Sequence, residues 1–215
     1  MSTEASGSEQ PVVLVVDDEP GLADLYAVWL KETCDTRVAY SGRAALCELD
    51  DSVDIVLLDR RMPTLSGDEV AAEIRAKGLD CLVCMVTAVD ADFDLVEIGI
   101  DEYLQKPVSQ AQLQEVADRL FARTRLPERY RPLLADLSKL VVIEGTRPCY
   151  TDGNDAYTRL QRRVDRQLAA IAPDDTSIDW ETLATAIREP DEASAVAGTV
   201  ARLRDQFDRR ERVGG

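Results

Sequence analysis

Apolar residues fall in short unbroken runs through the first half of the chain and at helical spacing through the rest. Val12-Val13-Leu14-Val15-Val16, Val53-Asp54-Ile55-Val56-Leu57-Leu58 and Cys81-Leu82-Val83-Cys84-Met85-Val86 are rich in Val, Ile and Leu. Runs of this length and composition read as strands buried on both faces, as in a parallel sheet. A further strand is expected at Glu102-Tyr103-Leu104-Gln105. Helical patterns follow at about 20–32, 42–50, 67–77, 91–98 and 109–124, with Ser41-Gly42, Ser66-Gly67 and Ser109 where helices begin. This alternation predicts an α/β fold with right-handed crossovers over residues 11–125. A linker is expected at 126–132, from Leu126-Pro127 to Pro132, and beyond it the strand pattern stops. Leu133, Leu137, Leu140 and Val141, then Tyr157, Leu160, Val164, Leu168 and Ile171, recur as helical stripes, with a loop expected from Gly145 to Asn154. Trp180, Leu183 and Ile187 make a shorter stripe, and Val196, Val200, Leu203 and Phe207 a last one, so the back third is expected to be all helix.

The polar residues that end the apolar runs carry the chemistry. Asp17 and Asp18 follow the first run, Asp59 the second, Thr87 the third and Lys106 the fourth. In an open α/β sheet the ligand site lies outside the carboxyl ends of the strands, so four strands would deliver three carboxylates, a hydroxyl and an ammonium to one place. Three carboxylates in a partly buried cleft need a cation. Oxygen-only ligands in such small number suit Mg²⁺, which keeps several waters. An inward lysine makes sense if an anion visits, since an ammonium is a point-charge partner for phosphate, and Thr87 adds a hydroxyl donor. A carboxylate can itself be the nucleophile in aspartyl-phosphate chemistry. The parts assemble into phosphoryl transfer onto Asp59, with Mg²⁺ and Lys106 neutralising the transferring group.

Residues 11–125 resemble the receiver domain of two-component response regulators. The resemblance rests on Asp17-Asp18-Glu19-Pro20, Asp59-Arg60-Arg61-Met62-Pro63 with Gly67, Thr87-Ala88 and Tyr103-Leu104-Gln105-Lys106-Pro107, in the family's order and spacing. It implies a flavodoxin-like, doubly wound, five-stranded parallel sheet of order 2-1-3-4-5. It implies Asp59 as phosphoacceptor; Asp18, Asp59 and the backbone carbonyl of Arg61 as Mg²⁺ ligands; and Asp17 reaching the ion mostly through water. Thr87 and Lys106 would hold phosphoryl oxygens, helped by the Ala88 N–H. Tyr103 occupies the switch-aromatic position, and Lys106-Pro107 would carry a cis peptide. A sensor histidine kinase is the implied phosphoryl donor.

Composition narrows the rest. The 215 residues carry a net charge of −16, from 41 acids and 25 bases, so duplex DNA is a poor default partner. The chain has no histidine, which excludes a histidine phosphotransfer domain, histidine-based catalytic dyads and histidine-ligated metals. Met1–Gln10 is polar and without an apolar core, so residues 1–10 are expected to be a disordered tail and the protein cytoplasmic, with no membrane association. Five cysteines argue against a disulfide framework, and Cys81 and Cys84, three apart on one strand, should face opposite sides rather than form a redox pair.

Acid-rich, lysine-poor composition resembles that of proteins from salt-loving archaea. Residues 133–190 weakly resemble the HalX helical module that follows receivers in such organisms, through Leu137-Ser138-Lys139, Glu144, Tyr157, Leu160, Arg163-Val164 and Leu168. They depart from it at Val141-Val142-Ile143 and Arg147-Pro148-Cys149, and 191–215 is expected to be a helix and tail outside the resemblance. Arg159, Arg162, Arg163 and Arg166 surround one stripe, and Arg202, Arg204, Arg209, Arg210 and Arg212 follow the last. The leading expectation is a non-enzymatic switch: phosphorylation of Asp59 changes the face around 88–110, and the helical module then dimerises or engages an unidentified downstream protein. The alternative is a transcriptional regulator that binds DNA through the arginine-rich helices, though no recognition helix of the usual kind is evident.

Overall fold

The computed structural model describes residues 10–91, 93–146, 154–171, 178–191 and 194–213. Most of the expected tail, Met1 to Glu9, and most of the expected 145–154 loop lie outside the described residues. Strands β1 (Val12–Val16), β2 (Asp35–Ala39), β3 (Ile55–Leu58), β4 (Leu82–Thr87) and β5 (Glu102–Gln105) form one parallel sheet of order β2-β1-β3-β4-β5. The reason for unbroken apolar runs is visible in the two cores. Leu14, Val16, Val56, Leu58, Val83 and Met85 point to one face of the sheet, and Val13, Val15, Ile55, Leu57, Cys84 and Val86 to the other. Alternate residues serve opposite faces, so a strand covered on both sides needs an apolar residue at every position. Cys81 and Cys84 belong to these two different cores, which rules out a redox pair between them in this fold.

Helices α1 (Pro20–Leu30), α2 (Gly42–Glu48), α3 (Gly67–Ala76) and α4 (Gln110–Thr124) cover the two faces. Their starts are written locally. Pro20 opens α1 in the first turn, and Ser41 caps α2. Ser66 with Glu69 and Ser109 with Gln112 form reciprocal capping boxes on α3 and α4.

The expected helix at 91–98 is reduced to a 3-10 turn, Phe93–Val96. The segment is short, ends at Gly99 and carries β-branched Val96 and Ile98, so its helix is poorly supported by local preference. Its carbonyls find partners elsewhere: Lys139 Nζ donates to Ile98 O at 2.8 Å, and an Arg163 guanidinium nitrogen lies 3.5 Å from Val96 O.

Those two side chains come from the helical third. The expected linker is a 3-10 turn, Glu128–Tyr130, that runs directly into α5 (Arg131–Thr146), and both Leu126 and Tyr130 are buried. α5 packs on α6 (Asp155–Ala170), α7 (Trp180–Ala186) packs on α4, and α8 (Ala195–Val213) touches both α5 and α7. Every residue from Leu133 to Leu140 is buried, because α5 is sandwiched between α6 on one side and β5 with the 93–96 turn on the other. A third core results, running from Val96 through Leu133, Leu137 and Leu160 to Leu183 and Phe207.

Glu102, on edge strand β5, is the polar centre of this junction and is 1 % exposed. Its carboxylate accepts from Arg119 (3.1 Å), Arg123 (3.1 Å), Arg188 (2.8 Å) and Ser138 Oγ (3.0 Å). Burial opposes its ionisation, but Arg123, Arg119 and Arg188 outweigh that and hold the carboxyl at about 2.

Removing one member of such a group leaves buried charge uncompensated, which costs about 3–5 kcal/mol. Glu102→Gln should therefore lower the urea-unfolding free energy by an amount in that range. Because the folded carboxyl titrates below its unfolded value, its stabilisation is complete above the ordinary 4.5 and is lost as pH falls toward about 2. The gap between wild type and Glu102→Gln should close across that window when stability is followed by far-ultraviolet circular dichroism.

Candidate functional site

The register of the sheet puts the reactive groups side by side. Val16 pairs with Leu58, so β1 and β3 end level with one another, while β4 runs two residues past Met85, the partner of Leu58, to Thr87. The ladder continues one residue past the strands: Asp59 N–H donates to Val16 O (2.8 Å), and Lys106 N–H donates to Thr87 O (2.8 Å). Asp59 and Lys106 are thus pinned by main-chain bonds before any side-chain contact is considered.

Lys106 Nζ lies between two carboxylates, 2.7 Å from Asp17 Oδ2 and 2.7 Å from Asp59 Oδ1. The second oxygen of each acid is also held. Asp17 Oδ1 accepts the Glu19 N–H (3.0 Å) and Asp59 Oδ2 the Arg61 N–H (2.8 Å). Asp17 and Asp59 are buried, whereas Asp18 is half-buried at the mouth, in a cavity it shares with Arg61, Met62 and Pro63. Burial pushes the Asp59 carboxyl up, and the nearby Asp17 charge adds to this; Lys106 and the Arg61 N–H pull it back without cancelling the rise. For Lys106, burial disfavours the ammonium, but its bonds to Asp17 and Asp59 leave it above its ordinary value.

Thr87 is buried at the end of β4, its Oγ1 accepting the Val89 N–H at 3.3 Å, and Ala88 follows it, exposed. The Tyr103 ring is buried and its hydroxyl donates to Val89 O, so the switch-position tyrosine is already tied to the loop after Thr87. Burial raises that phenol to about 12. The Lys106-Pro107 peptide is cis.

The loop from Asp59 to α3 is fitted tightly. Gly67 N–H donates to Arg60 O (2.9 Å), and a Cβ on Gly67 would stand 2.3 Å from the Asp59 carbonyl oxygen. Thr64 adopts a left-handed φ of 68°, unusual for a β-branched residue. Arg60 was not singled out by sequence reasoning. It pairs with Asp68 (3.0 Å) and with Asp94, joining the loop after Asp59 to α3 and to the 93–96 turn. Nothing in its sequence position signals this, because both partners are defined only by the tertiary fold. Tyr26 on α1 was missed as well; it is buried close enough to Lys106, Asp17 and Asp59 to feel their charges.

Of the expected groups, Asp17, Asp59 and Lys106 are in direct contact, Thr87 and Tyr103 are both bonded to Val89, and Asp18 and Ala88 are the more open. The donors available to a cation are the carboxylates of Asp17, Asp18 and Asp59 and the carbonyl of Arg61. This oxygen-only set fits a hard divalent ion that retains much of its own water. It is not a ready-made cage: among the described residues no three acids, cysteines or histidines converge as one, and Asp17 and Asp59 share the lysine instead.

The arginines of α6 show a different pattern. Arg163 is engaged by Asp136 (2.6 Å), and Arg159 lies 3.7 Å from Glu97. Arg202, on α8, pairs with Asp165 at 2.9 Å. Arg159, Arg163 and Arg202 thus face neighbouring acids, whereas Arg166 donates through Nε to Arg162 O (3.3 Å).

Comparison with known proteins gives a consistent result. The family model described as the response regulator receiver domain matches residues 13–118. A Haloferax volcanii protein named as a transcriptional regulator is 48% identical over 143 residues, covering 63% of this chain and 25% of that protein. The transcriptional regulatory protein CutR of Streptomyces coelicolor is 35% identical over 148 residues, covering 66% of this chain and 67% of CutR. This chain thus spans a quarter of the Haloferax relative's length. Among solved structures, the receiver domain of the Francisella response regulator 1452 matches with a TM-score of 0.50 and 30% identity, over 54% of this chain and 100% of that domain.

Two outcomes test the site's physics. Since the folded Asp59 carboxyl titrates above its unfolded value, its favourable contribution exists below the ordinary carboxylate range and is lost as pH rises. Asp59→Asn should melt at higher temperature than wild type near neutral pH, with the difference vanishing below about pH 4. Gly67→Ala should lower the melting temperature and shift the backbone amide resonances of Asp59 and Arg60, because the added methyl cannot coexist with the Asp59 carbonyl as placed.

Proposed function

The chain belongs to the response-regulator receiver family, and from that premise we propose that it is a phosphorelay switch whose receiver, residues 11–125, accepts a phosphoryl group on Asp59. The observation that carries the proposal is the ammonium of Lys106 held between Asp17 and Asp59 at the level ends of β1 and β3. A carboxylate oxygen of Asp59 attacks phosphorus, the bond from phosphorus to the donor's imidazole nitrogen breaks, and the nitrogen leaves with its electron pair. Lys106 stays within reach of the acceptor and offsets the negative charge that gathers there. Thr87 supplies a hydroxyl, and the Ala88 N–H a second donor, to the new phosphoryl oxygens. Asp18, Asp59 and the Arg61 carbonyl, with Asp17 through water, would hold Mg²⁺, whose charge neutralises the phosphoryl oxygens when it is bound.

The donor is a sensor histidine kinase, since this chain has no histidine of its own. Pull on Thr87 moves the 88–91 loop, and with it Tyr103, whose hydroxyl is bonded to Val89 O. The helical module, 133–190 with the 191–215 helix and tail, is the output and acts through protein contacts, including dimerisation on phosphorylation or a downstream protein. Its likeness to HalX supports an archaeal signalling role. We class the chain as a signalling protein rather than an enzyme, because the chemistry is performed on itself. No helix among the described residues is long and apolar enough to cross a membrane, which supports a cytoplasmic location. A second reading, DNA binding through α6 and α8, is favoured by the names of the relatives. The pairing of Arg163 and Arg202 with acids weighs against it.

The test is labelling of the full chain by acetyl phosphate. Wild type should acquire a hydroxylamine-labile phosphoryl group only with Mg²⁺, Asp59→Asn none, and Lys106→Ala at a rate lower by about 10²-fold or more, the scale for removing one electrostatic stabiliser. Uptake by Asp59→Asn at the wild-type rate would overturn the acceptor assignment. Salt-independent anisotropy of a labelled DNA duplex, unchanged by the protein, would dispose of the second reading.

A further inference from the structure

Neighbouring residues of β5 point to opposite faces, and here the two faces do different things. Tyr103 packs in the core beside the acceptor loop, while Glu102 sits in the arginine cluster under the helical third. One guanidinium spans both. Arg188, two residues past the end of α7, donates through Nη1 to Glu102 Oε1 (2.8 Å) and to the backbone carbonyl of Tyr103 (2.7 Å). A second guanidinium works from the receiver side: Arg123 donates through Nε to Ala186 O (2.8 Å), the last residue of α7, and through Nη2 to Glu102 and Ser138. The end of α7 is therefore fastened to β5 and α4 by two arginines that converge on one buried carboxylate.

The packing around that fastening is incomplete. A groove opens between α4 and the end of α7, lined by Leu104, Val116 and Arg119 on one side and Ala184, Ile187 and Arg188 on the other. α7 has seven residues, too few to persist as a helix without its tertiary contacts. Its Trp180 ring meets Phe207 of α8 at a tilted angle, centroids 6.0 Å apart, so displacement of α7 is felt by the last helix.

We propose that Arg188 is a latch that couples the α7–α8 end of the helical module to the switch strand, closed in the structure described and released when Tyr103 is displaced. The inference rests on the phosphorylation reading above. Movement of the Tyr103 backbone draws its carbonyl away from Arg188; the end of α7 is then held only by the Arg188–Glu102 pair and the Arg123 bond to Ala186 O, and it leaves its seat more often. Release uncovers Leu104 and Val116 and frees α8 from Trp180. Coupling is reciprocal: whatever opens the latch must also favour the phosphorylated form of the receiver. Arg188 touches neither the acceptor nor the transferring group and acts as a positioning residue.

The experiment is hydrogen–deuterium exchange of the full chain in molar KCl with Mg²⁺, for wild type and Arg188→Gln, with and without beryllofluoride as a mimic of the phosphoryl group. Beryllofluoride should speed exchange across 178–191 in wild type by about tenfold, within the usual range of allosteric coupling. Arg188→Gln should exchange at the fast level with or without it, with β1 and β3 as protected as in wild type. By reciprocity the variant should bind beryllofluoride about tenfold more tightly. If Arg188→Gln leaves both the 178–191 exchange and the affinity unchanged, or if beryllofluoride protects the site around Asp59 yet 178–191 does not respond, the latch is overturned. If beryllofluoride protects nothing near Asp59 or Thr87, the phosphorylation reading falls instead. That failure is recognisable because Arg188→Gln alone would still free 178–191.

Discussion

Two buried carboxylates facing one ammonium set the terms for this molecule. Asp17 and Asp59 are placed at the level ends of adjacent parallel strands, where like charges repel, and Lys106 arrives from β5 to lie 2.7 Å from each. Burial still leaves the Asp59 carboxyl harder to ionise than usual. The site therefore holds a carboxylate that is under-compensated by its neighbours and gains from additional positive charge. The surrounding features hold it in place: the tight Gly67 approach that seats the Asp59 backbone, the N–H bonds from Glu19 and Arg61, and the level ends of β1 and β3.

A second buried anion does for the architecture what the first does for chemistry. Glu102 has its charge balanced from α4 and from the segment after α7, so one carboxylate joins three parts of the chain. The edge of the sheet is consequently covered, which removes an exposed strand edge, and the receiver and helical third share a continuous interface. Part of the face around 88–110, expected to change shape on phosphorylation, is covered: α5 packs on β5 and the 93–96 turn, and α6 on that turn. Shortening of the 91–98 helix belongs to the same arrangement, since Lys139 and Arg163 reach carbonyls that a longer helix would have used internally.

Strand β5 is common to both anionic sites: it supplies Lys106 just past its end, Tyr103 on one face and Glu102 on the other. A displacement at the Asp17, Asp59 and Lys106 cluster thus has a short mechanical route into the helical third, through one strand of four residues.

Much of this was legible without coordinates. Runs of Val, Ile and Leu at every position imply strands covered on both faces, and parallel strands imply a site beyond their carboxyl ends, so Asp17, Asp59, Thr87 and Lys106 could be placed together from one-dimensional pattern alone. Helix starts were equally local, because Ser66 with Glu69 and Ser109 with Gln112 satisfy N–H groups within a single turn. The roles of Arg60, Arg123, Arg188 and Glu102 were not legible. Their partners lie up to 86 residues away in the chain, and an arginine on a polar helix face looks the same whether it meets water or a buried carboxylate. The fate of 91–98 was hidden for the same reason: its helical pattern was real but weak, and packing against α5 and α6 decided it. Periodicity reports which way a side chain faces; the charge that waits on that side is known only once the chain has folded back on itself.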